Sequence, residues 1–345
     1  MDATIFGAGI FGLTVALALA RRGLRVRVID PGGVAAGASG GIVGALAPHV
    51  PERWNAKKAM QFEALMAAPA YWAGVEALSG QRTGFARLGR LQPIADAAAL
   101  DRAEARAAEA AVLWQGQAGW TVIRADEAGD FAPLTPTGIL IHDTLTARLH
   151  PRRACQALAA ALTTLGGEVV AQAPITAGPV IHATGWQGLA TLAADLERPV
   201  GVGVKGQAVL MRHNAGRAPQ LFADGLHIVP HDDGTVAIGS TTERDFDDPH
   251  RTDDQTEALV ARARALCPPL ADAPVIARWA GVRPRARTRA PMIGPWPRRA
   301  GHYVSNGGFK IGLAMAPMAA DMLADLIVDG TDRIPKEFRV EASME

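Results

Sequence analysis

The sequence predicts a mixed α/β fold with two domains, and three observations lead to that prediction. The chain has 345 residues, two to three times the ~100–150 residues of an ordinary domain, so it can bury a sizeable core. Its first residues alternate strand, glycine turn, helix and strand, as chains that form parallel sheets do. Residues 200–240 alternate with period two instead, which predicts an antiparallel sheet.

The composition excludes several classes of protein. Apolar residues make up 49% of the chain and charged residues 20%, a balance typical of globular rather than disordered or fibrous proteins. With 35 basic and 34 acidic side chains, the net charge of +1 gives no electrostatic footprint for nucleic acid. Cys155 and Cys267 lie far apart in sequence and indicate neither a metal site nor a disulfide framework. We therefore expect a globular protein of the reducing cytoplasm without a metal.

The uncharged stretch from Ala3 to Ala20 is not expected to be a membrane span or a signal peptide. Asp2 stands where a signal peptide has basic residues, and no small-residue cleavage site follows. Gly7, Gly9 and Gly12 interrupt the stretch at a meaningful spacing. The sequence therefore predicts no membrane span.

The predicted elements begin with a βαβ unit. A strand covers Ala3 to Phe6, a helix runs from about Ile10 to Arg22, and a second strand covers Arg25 to Ile29. An Asp-Gly pair inside the period-two region is typical of a hairpin. Further helices are predicted at about 56–80, 97–115, 151–165, 253–266 and 313–328, and further strands at 85–94, 168–172, 179–183 and 303–305.

The turn inside the βαβ unit carries the motif G-x-G-x-x-G at residues 7–12. Its glycines permit a tight turn and a close approach of a pyrophosphate to the helix N-terminus. Asp30 ends the second strand, 18 residues after Gly12, where a carboxylate accepts both ribose hydroxyls and disfavours a 2′-phosphate. The motif alone does not distinguish FAD from NAD, but the glycine-rich segment 32–51 that follows can wrap a larger cofactor.

This unit and five further motifs resemble the D-amino-acid oxidase family of flavoproteins, in particular its glycine oxidase and sarcosine oxidase branch. The resemblance extends over essentially the whole chain, and the motifs occur in the family's order. The residues that carry it are Gly7-Ala-Gly-Ile-Phe-Gly12 with Asp30; Ala38-Ser-Gly-Gly-Ile-Val-Gly-Ala-Leu-Ala-Pro48; His182-Ala-Thr-Gly-Trp186; His227-Ile-Val-Pro230 with Ile238-Gly-Ser-Thr241; Trp279-Ala-Gly-Val-Arg-Pro284 with Pro291-Met-Ile-Gly294; and Gly307-Gly-Phe-Lys-Ile-Gly312 ahead of Ala316-Pro317.

The resemblance implies a Rossmann-like FAD-binding βαβ domain joined to an antiparallel β-sheet substrate domain of the D-amino-acid oxidase type. Residues 1–80, 145–195 and 295–345 would form the discontinuous FAD-binding domain, and residues 81–144 and 196–294 the substrate domain. FAD is the implied cofactor. The residues that the resemblance assigns to it are Gly7, Gly9, Ile10, Phe11, Gly12, Asp30, Pro31, Ala38, Ser39, Gly44, Ala45, Leu46, Ile175, Gly185, Gly308, Phe309, Lys310, Ile311, Gly312 and Leu313.

The implied activity is oxidation of the CH–NH bond of a small amine or amino acid, such as glycine, sarcosine or a D-amino acid. A hydride passes from the carbon next to the amine to flavin N5, and water hydrolyses the resulting imine. Orientation matters most, because no side-chain base is required once the amine is neutral. The matching residues are Arg283 for the substrate carboxylate, Lys310 beside the flavin, and His227 and Thr242 facing the substrate.

The sequence departs from the family's pattern in three places. About ten residues separate Val170 from Val180, where relatives have a longer β-meander. Thr288-Arg289 replaces the family's Asp-Gly, and the chain has 2 tyrosines, so the phenol contacts of amino-acid oxidases are missing. The identity of the substrate therefore does not follow from the resemblance.

One hypothesis follows from the arginines in this region. Arg283, Arg285, Arg287 and Arg289 alternate, and on an extended segment they would share one face. Such a face would suit a substrate with a second anionic group, an acidic or phosphorylated amine. The alternative is a solvated rim in a chain whose basic residues are mostly arginine.

Other functions stay open on the sequence alone. A flavin-dependent step in tRNA modification would require an RNA-binding surface, which the near-zero net charge disfavours. A non-catalytic flavin-binding protein would lack the substrate-side cations, whereas Arg283 and Lys310 are present. A nicotinamide dehydrogenase fits least, because its parallel units continue at once. We expect a small-molecule substrate and no nucleic-acid partner, and a homo-oligomer is left open.

Overall fold

The computed structural model describes residues 1–175 and 177–345. Its helices are α1 (Ile10–Arg21), α2 (Ala56–Ser79), α3 (Ala97–Leu113), α4 (Pro151–Thr164), α5 (Gly185–Leu196), α6 (Gln255–Leu266) and α7 (Gly312–Asp329). Its strands are β1 (Ala3–Phe6), β2 (Val26–Ile29), β3 (Ala45–Leu46), β4 (Ala86–Arg87), β5 (Arg90–Pro93), β6 (Trp120–Arg124), β7 (Ile139–Asp143), β8 (Ala147–Arg148), β9 (Glu168–Val170), β10 (Val180–His182), β11 (Gly201–Arg212), β12 (Gln220–Ala223), β13 (Leu226–Pro230), β14 (Thr235–Gly239), β15 (Val275–Ala286), β16 (Met292–Pro295) and β17 (His302–Asn306).

One sheet has the strand order β16-β17-β10-β1-β2-β9. All neighbouring strands in it run parallel except β16, which is antiparallel to β17. Strand β1, helix α1 and strand β2 form the βαβ unit that the sequence predicts. Because parallel strands end at the same edge of a sheet, the segments that follow β1, β2, β10 and β17 meet there.

A second sheet has the order β15-β11-β14-β13-β12-β5-β7-β6. Its strands pair antiparallel, apart from β5 with β12. On one face, Val209 and Ile228 pack with Leu259 and Val260 of α6 in a buried cluster. Alternate residues of the strands point to the other face, which is turned away from that cluster. A small sheet, β3-β8-β4, completes the described part of the chain.

Helices α1, α2, α4 and α7 pack together beside the parallel sheet. Helix α1 is buried from Ile10 to Ala20, because it is apolar on all sides. The side chain of Asn55 caps α2 by accepting a hydrogen bond from the Lys58 N–H at 3.1 Å. Helix α2 ends at Gly80, whose φ of 67° closes it in the left-handed conformation. These helices and the two sheets confirm the mixed α/β fold class.

Two local expectations are corrected by the structure. The predicted strand at 85–94 is split into β4 and β5, because Gly89 between them has a φ of 79°. The Thr184-Gly185 turn leads directly into α5, a helix that the sequence analysis did not predict. Leu189, Leu192 and Leu196 recur on its inner face and are buried, which is the signal for that helix.

Within the described residues, no helix is both long and apolar enough to cross a membrane. Cys155 and Cys267 are both free and buried. Burial raises the pKa of each thiol to about 12. Neither thiol is therefore ionised at neutral pH.

Candidate active site

The carboxyl edge of the parallel sheet brings backbone groups close together at the start of α1. A Cβ at Gly12 would lie 1.8 Å from the carbonyl oxygen of Gly7, so no larger residue fits there. The first turn of a helix leaves N–H groups without intrahelical partners, and the first turn of α1 contains no acidic residue. This edge therefore presents backbone donors to an anionic group, as a pyrophosphate requires.

Asp30 and Ser39 contact this turn from the segment that follows β2. The Asp30 carboxylate accepts hydrogen bonds from the Ala8 N–H at 2.8 Å and the Gly32 N–H at 2.9 Å. The Ser39 hydroxyl accepts one from the Ile10 N–H at 2.9 Å. Each carboxylate oxygen of Asp30 retains acceptor capacity, so hydroxyl groups of a ribose can still bind it.

The segment of residues 38–46, which we call the glycine loop, runs from α1 to the antiparallel sheet. A Cβ at Gly41 would lie 3.4 Å from the ring of Trp279, and one at Gly239 would lie 2.7 Å from the Val43 side chain. The loop ends in β3, which pairs with β8. The glycine loop therefore lies against the face of the antiparallel sheet that does not contact α6.

A row of residues crosses this face of the antiparallel sheet. Directly opposed residues of antiparallel strands point to the same face. Along β15, the residues two and four positions after Trp279, which is the last member of the row, also point to this face. The row runs, in register, Phe222, His227, Gly239, Ala208 and Trp279.

Arg283 is the residue four positions beyond Trp279. A Cβ at Gly206 would lie 2.5 Å from its guanidinium, so the arginine fills space that only glycine leaves open. The guanidinium donates hydrogen bonds to the Ser240 hydroxyl at 2.8 Å and to the Thr241 carbonyl at 2.7 Å. A longer hydrogen bond of 3.3 Å reaches a carbonyl of β11. These partners are neutral, and the Nε atom of Arg283 is buried without an acceptor.

Glu243 is the carboxylate whose negative charge affects the pKa of Arg283, but its oxygens are bound by donors other than Arg283. It accepts hydrogen bonds from the Thr241 hydroxyl and from the Gln207 amide at 3.2 Å, and it lies 3.6 Å from the Lys205 ammonium. Burial lowers the pKa of Arg283 to about 10, although the charge of Glu243 opposes this shift. Arg283 therefore stays charged at neutral pH and keeps unused donors for an anion.

The segment after β17 brings further positive charge to Arg283. The N–H of Phe309 donates to the Pro284 carbonyl at 2.9 Å, which holds this segment against β15. The Phe309 ring lies 5.4 Å from the Arg283 guanidinium, 5.8 Å from that of Arg285 and 5.7 Å from the Lys310 ammonium. Partial burial and the charge of Arg283 lower the pKa of Lys310. Three cations thus surround one aromatic ring.

His227 lies near the same cations. Its ring is 4.6 Å from the Phe222 ring, and its Nδ1 atom is buried with no hydrogen-bond partner. Burial lowers the pKa of His227 to about 3, and the charges of Arg90, Lys310 and Arg283 act in the same direction. The imidazole is therefore neutral at neutral pH, and an unprotonated Nδ1 would accept a hydrogen bond.

The structure brings together most of the residues that the sequence analysis assigned to the cofactor. Residues 7–12, 30–31, 185 and 308–313 follow β1, β2, β10 and β17 at the common edge of the parallel sheet. Ile175 and Thr242 are both exposed. Ile175 is 57% exposed on the segment after β9. Thr242 is exposed, and its side chain has no hydrogen-bond partner within residues 1–175 and 177–345.

The expectation that four arginines share one face is wrong for the last two. Strand β15 ends at Ala286, so the segment is extended only as far as Arg285. Arg287 donates to the carbonyl of Glu345 at 3.4 Å. Arg289 has a φ of 59°, which is a turn conformation. The cluster at the candidate site consists of Arg283 and Arg285 with Lys310.

Sequence reasoning missed three residues of this region. Trp279 occupies the same face as Arg283, and period-two counting back from that arginine would have identified it. Phe222 lies opposite His227, and only the pairing of β12 with β13 reveals this. Arg90 reaches the region through the pairing of β5 with β12, for which the sequence contains no local signal.

Comparisons with known proteins agree with this architecture. Residues 2–326 match the DAO family, FAD dependent oxidoreductase. The chain is 38% identical to glycine oxidase of Pseudomonas aeruginosa over 163 residues, which cover 47% of this chain and 44% of that protein. It is 27% identical to the uncharacterized oxidoreductase YurR of Bacillus subtilis over 94% of both chains. The crystal structure of glycine oxidase from Geobacillus kaustophilus has the same fold, with a TM-score of 0.82, 21% identity and 98% coverage of each chain.

A glycine-lined helix N-terminus at the carboxyl edge of a parallel sheet is typical of dinucleotide-binding proteins. The chain belongs to the DAO family of FAD-dependent oxidoreductases, as its motifs predicted, and FAD is its cofactor. In the comparison with the Pseudomonas enzyme, the chain spans less than half of that relative's length.

The residues at the sheet edge fit FAD. Gly12 lets α1 pack closely on β1, the N-terminus of α1 suits a pyrophosphate, and the Asp30 carboxylate suits a ribose. The glycine loop connects the region of the α1 N-terminus with the face of the antiparallel sheet that carries Arg283. An extended cofactor that follows this loop can therefore contact both.

Proposed function

We propose that this enzyme oxidises the CH–NH bond of a small amine or amino acid that carries a carboxylate. The observation that supports the proposal is the state of Arg283. It lies on the face of the antiparallel sheet that the glycine loop contacts. Its Nε atom is buried without an acceptor, and its hydrogen-bond partners are neutral. A guanidinium in this state is suited to a bidentate bond with a carboxylate.

FAD, when bound, accepts a hydride from the carbon next to the amine. Gly7, Gly9 and Gly12 would admit its pyrophosphate to the N-terminus of α1, and Asp30 would bind the ribose. The glycine loop and residues 308–313 would line the flavin. The donors in these segments include backbone N–H groups, which are held in place by the two sheets.

The remaining side chains would orient the substrate. Arg283 binds its carboxylate, and Lys310 adds positive charge next to it. The unpartnered Nδ1 of His227 accepts a hydrogen bond from the substrate amine. Holding the substrate at both ends fixes the carbon that loses the hydride. The product imine reacts with water to give a carbonyl compound and the free amine.

We also propose the wider setting of the enzyme. Residues 1–80, 145–195 and 295–345 would form the FAD-binding domain, and residues 81–144 and 196–294 the substrate domain. The unpaired cysteines suit a reducing cytoplasm. The substrate is a small molecule, with no role for nucleic acid.

The test is to purify the protein, record a flavin spectrum and screen amines under anaerobic conditions for bleaching. Glycine, sarcosine and D-alanine should bleach the flavin, whereas methylamine, which has no carboxylate, should do so poorly. Return of the colour in air would identify an oxidase. A colourless protein that takes up no FAD contradicts the family assignment. Equal bleaching by methylamine and glycine contradicts the role of Arg283.

A further inference from the structure

A cationic cavity lies outside the proposed active site. It has a volume of about 280 Å³, and none of the residues that line it is assigned to FAD or to the substrate. It opens beside β8 and β4, at the small sheet. Its polar and aromatic lining residues are Arg82, Phe85, Arg148, Asn214, Arg217 and Asp232.

Arg148 is the buried arginine among the residues that line the cavity. It is 5% exposed, so its charge is almost fully removed from bulk solvent. Its guanidinium donates to the carbonyl of Pro230, and its Nε atom is buried without an acceptor. No carboxylate lies within ion-pairing distance of it among residues 1–175 and 177–345. A buried guanidinium in a folded protein is ordinarily paired with an anion.

The acidic side chain in the cavity is already bound by other arginines. The Asp232 carboxylate accepts a hydrogen bond from Arg153 at 2.7 Å and lies 3.6 Å from the Arg82 guanidinium. Arg217 is exposed and has no acidic partner in the described part of the chain. The lining therefore holds more positive charge than its own carboxylate balances.

The cavity also offers neutral donors. The Asn214 side-chain oxygen accepts from the Gly216 N–H at 3.0 Å, and its amide N–H groups have no acceptor among residues 1–175 and 177–345. Phe85 supplies an apolar wall. Guanidinium and amide N–H groups around a cavity of this size suit a compact ligand with several anionic oxygens.

We propose that this cavity, the Arg148 cavity, is a binding site for a small multivalent anion. The ligand presents several anionic oxygens to the guanidinium groups of Arg148 and Arg217, as a phosphate group or a polycarboxylate does. This site is separate from the carboxylate site at Arg283, and the proposal does not depend on the proposed activity.

Calorimetric titration of the FAD-loaded enzyme tests this site, with inorganic phosphate and citrate as separate probes at constant ionic strength. The test variants are Arg217→Gln, which changes an exposed side chain, and Arg148→Met, which replaces the buried charge by an apolar chain. Each should weaken binding of the preferred anion at least about tenfold, because a charge-assisted hydrogen bond is lost. The matched control is Arg102→Gln, an exposed arginine on α3, which should leave binding unchanged.

Preference for phosphate or for citrate identifies the kind of ligand, and either supports the site. If Arg148→Met does not fold, Arg217→Gln decides the question alone. Three results overturn the proposal. They are no binding of either anion to the unaltered enzyme, equal binding by Arg217→Gln and Arg102→Gln, and loss of binding in Arg283→Gln with none in Arg217→Gln.

Discussion

The two sides of the candidate active site are built by different means. The edge of the parallel sheet consists of backbone, because Gly7 and Gly12 approach so closely that no Cβ fits between them. The other side consists of side chains, with Arg283 and His227 on the antiparallel sheet and Lys310 on the segment after β17. Gly7 and Gly12 are neighbours in the chain, whereas Arg283, Lys310 and His227 come from segments that only the fold brings together.

This difference decides what each side tolerates. A site built from backbone groups loses its geometry when a single methyl group is added, and the charged side chain assigned to it is Asp30. A side-chain site loses a specific interaction when one cation is removed, while the sheet beneath it keeps its structure. Substitutions at the two sides should therefore change different measured properties, cofactor content and stability on one side and substrate binding on the other.

The largest effect is expected for Gly12→Ala. Its Cβ would lie 1.8 Å from the Gly7 carbonyl oxygen, a backbone atom that moves only if β1 and α1 separate. We expect a loss of more than about 4 kcal/mol in the free energy of unfolding, with little FAD in the purified protein. Flavin absorbance per chain and urea unfolding measure the two effects.

The matched control is Gly74→Ala in α2. A Cβ there meets only the far end of Arg21, at 3.7 Å. Since alanine is the better helix former, this variant should be as stable as the unaltered protein or more so, by up to about 1 kcal/mol. Normal FAD content in Gly12→Ala would show that the backbone approach at α1 does not matter for the cofactor.

Arg283→Gln is expected to have the next largest effect. Glutamine keeps an amide N–H donor, but it supplies no positive charge for a substrate carboxylate. We expect kcat/KM for an amino acid to fall roughly 30-fold to several thousand-fold. This corresponds to a loss of about 2–5 kcal/mol in the free energy of transition-state binding. Flavin reduction measured by stopped flow gives this ratio, and FAD content should not change.

Arg287→Gln serves as the control for charge. Arg287 belongs to the same run of arginines but contacts the carbonyl of Glu345 instead of the site. Its kinetics should match those of the unaltered enzyme. If both variants lose activity equally, the general positive field and not Arg283 binds the substrate.

The same contrast explains how much the sequence predicted. The cofactor side follows from contiguous signals, since the spacing of Gly7, Gly9 and Gly12 specifies both a turn and a helix start. On the substrate side, separate motifs predicted Arg283, Lys310, His227 and Thr242. The approach of Arg90 was beyond prediction, because it depends on strand pairing between distant segments. The run of arginines was misread after Arg285, because the sequence does not show where β15 ends.

A smaller effect is expected at His231, which links the two sides. The residue follows β13 and is 1% exposed, and its Nε2–H donates to the Ile42 carbonyl of the glycine loop at 2.8 Å. Burial lowers the pKa of His231 to about 4 from the ordinary 6.5. The unfolded chain therefore binds more protons between these two pH values, and the free energy of unfolding falls as pH falls through that window.

Urea unfolding at pH 7 and pH 5 measures this dependence. We expect His231→Gln, which can still donate to Ile42 but does not titrate, to lose less stability between the two pH values by about 1–2 kcal/mol. The control is His250→Gln, which changes an exposed histidine and should leave the dependence unaltered. Identical pH dependence in all three proteins would rule out acid sensitivity at this link.

The smallest effect is expected for Arg285→Gln, and it tests how far the cationic cluster extends. Arg285 lies 5.8 Å from the Phe309 ring that Arg283 also contacts, so a second anionic group on the substrate could reach it. We expect kcat/KM for D-aspartate to fall about fivefold, close to the 1 kcal/mol of a solvent-accessible ion pair, with no change for D-alanine. Arg289→Gln, beyond the end of β15, should affect neither substrate. Equal rates for D-aspartate and D-alanine, with no loss in Arg285→Gln, would restrict the substrate-binding charge to Arg283 and Lys310.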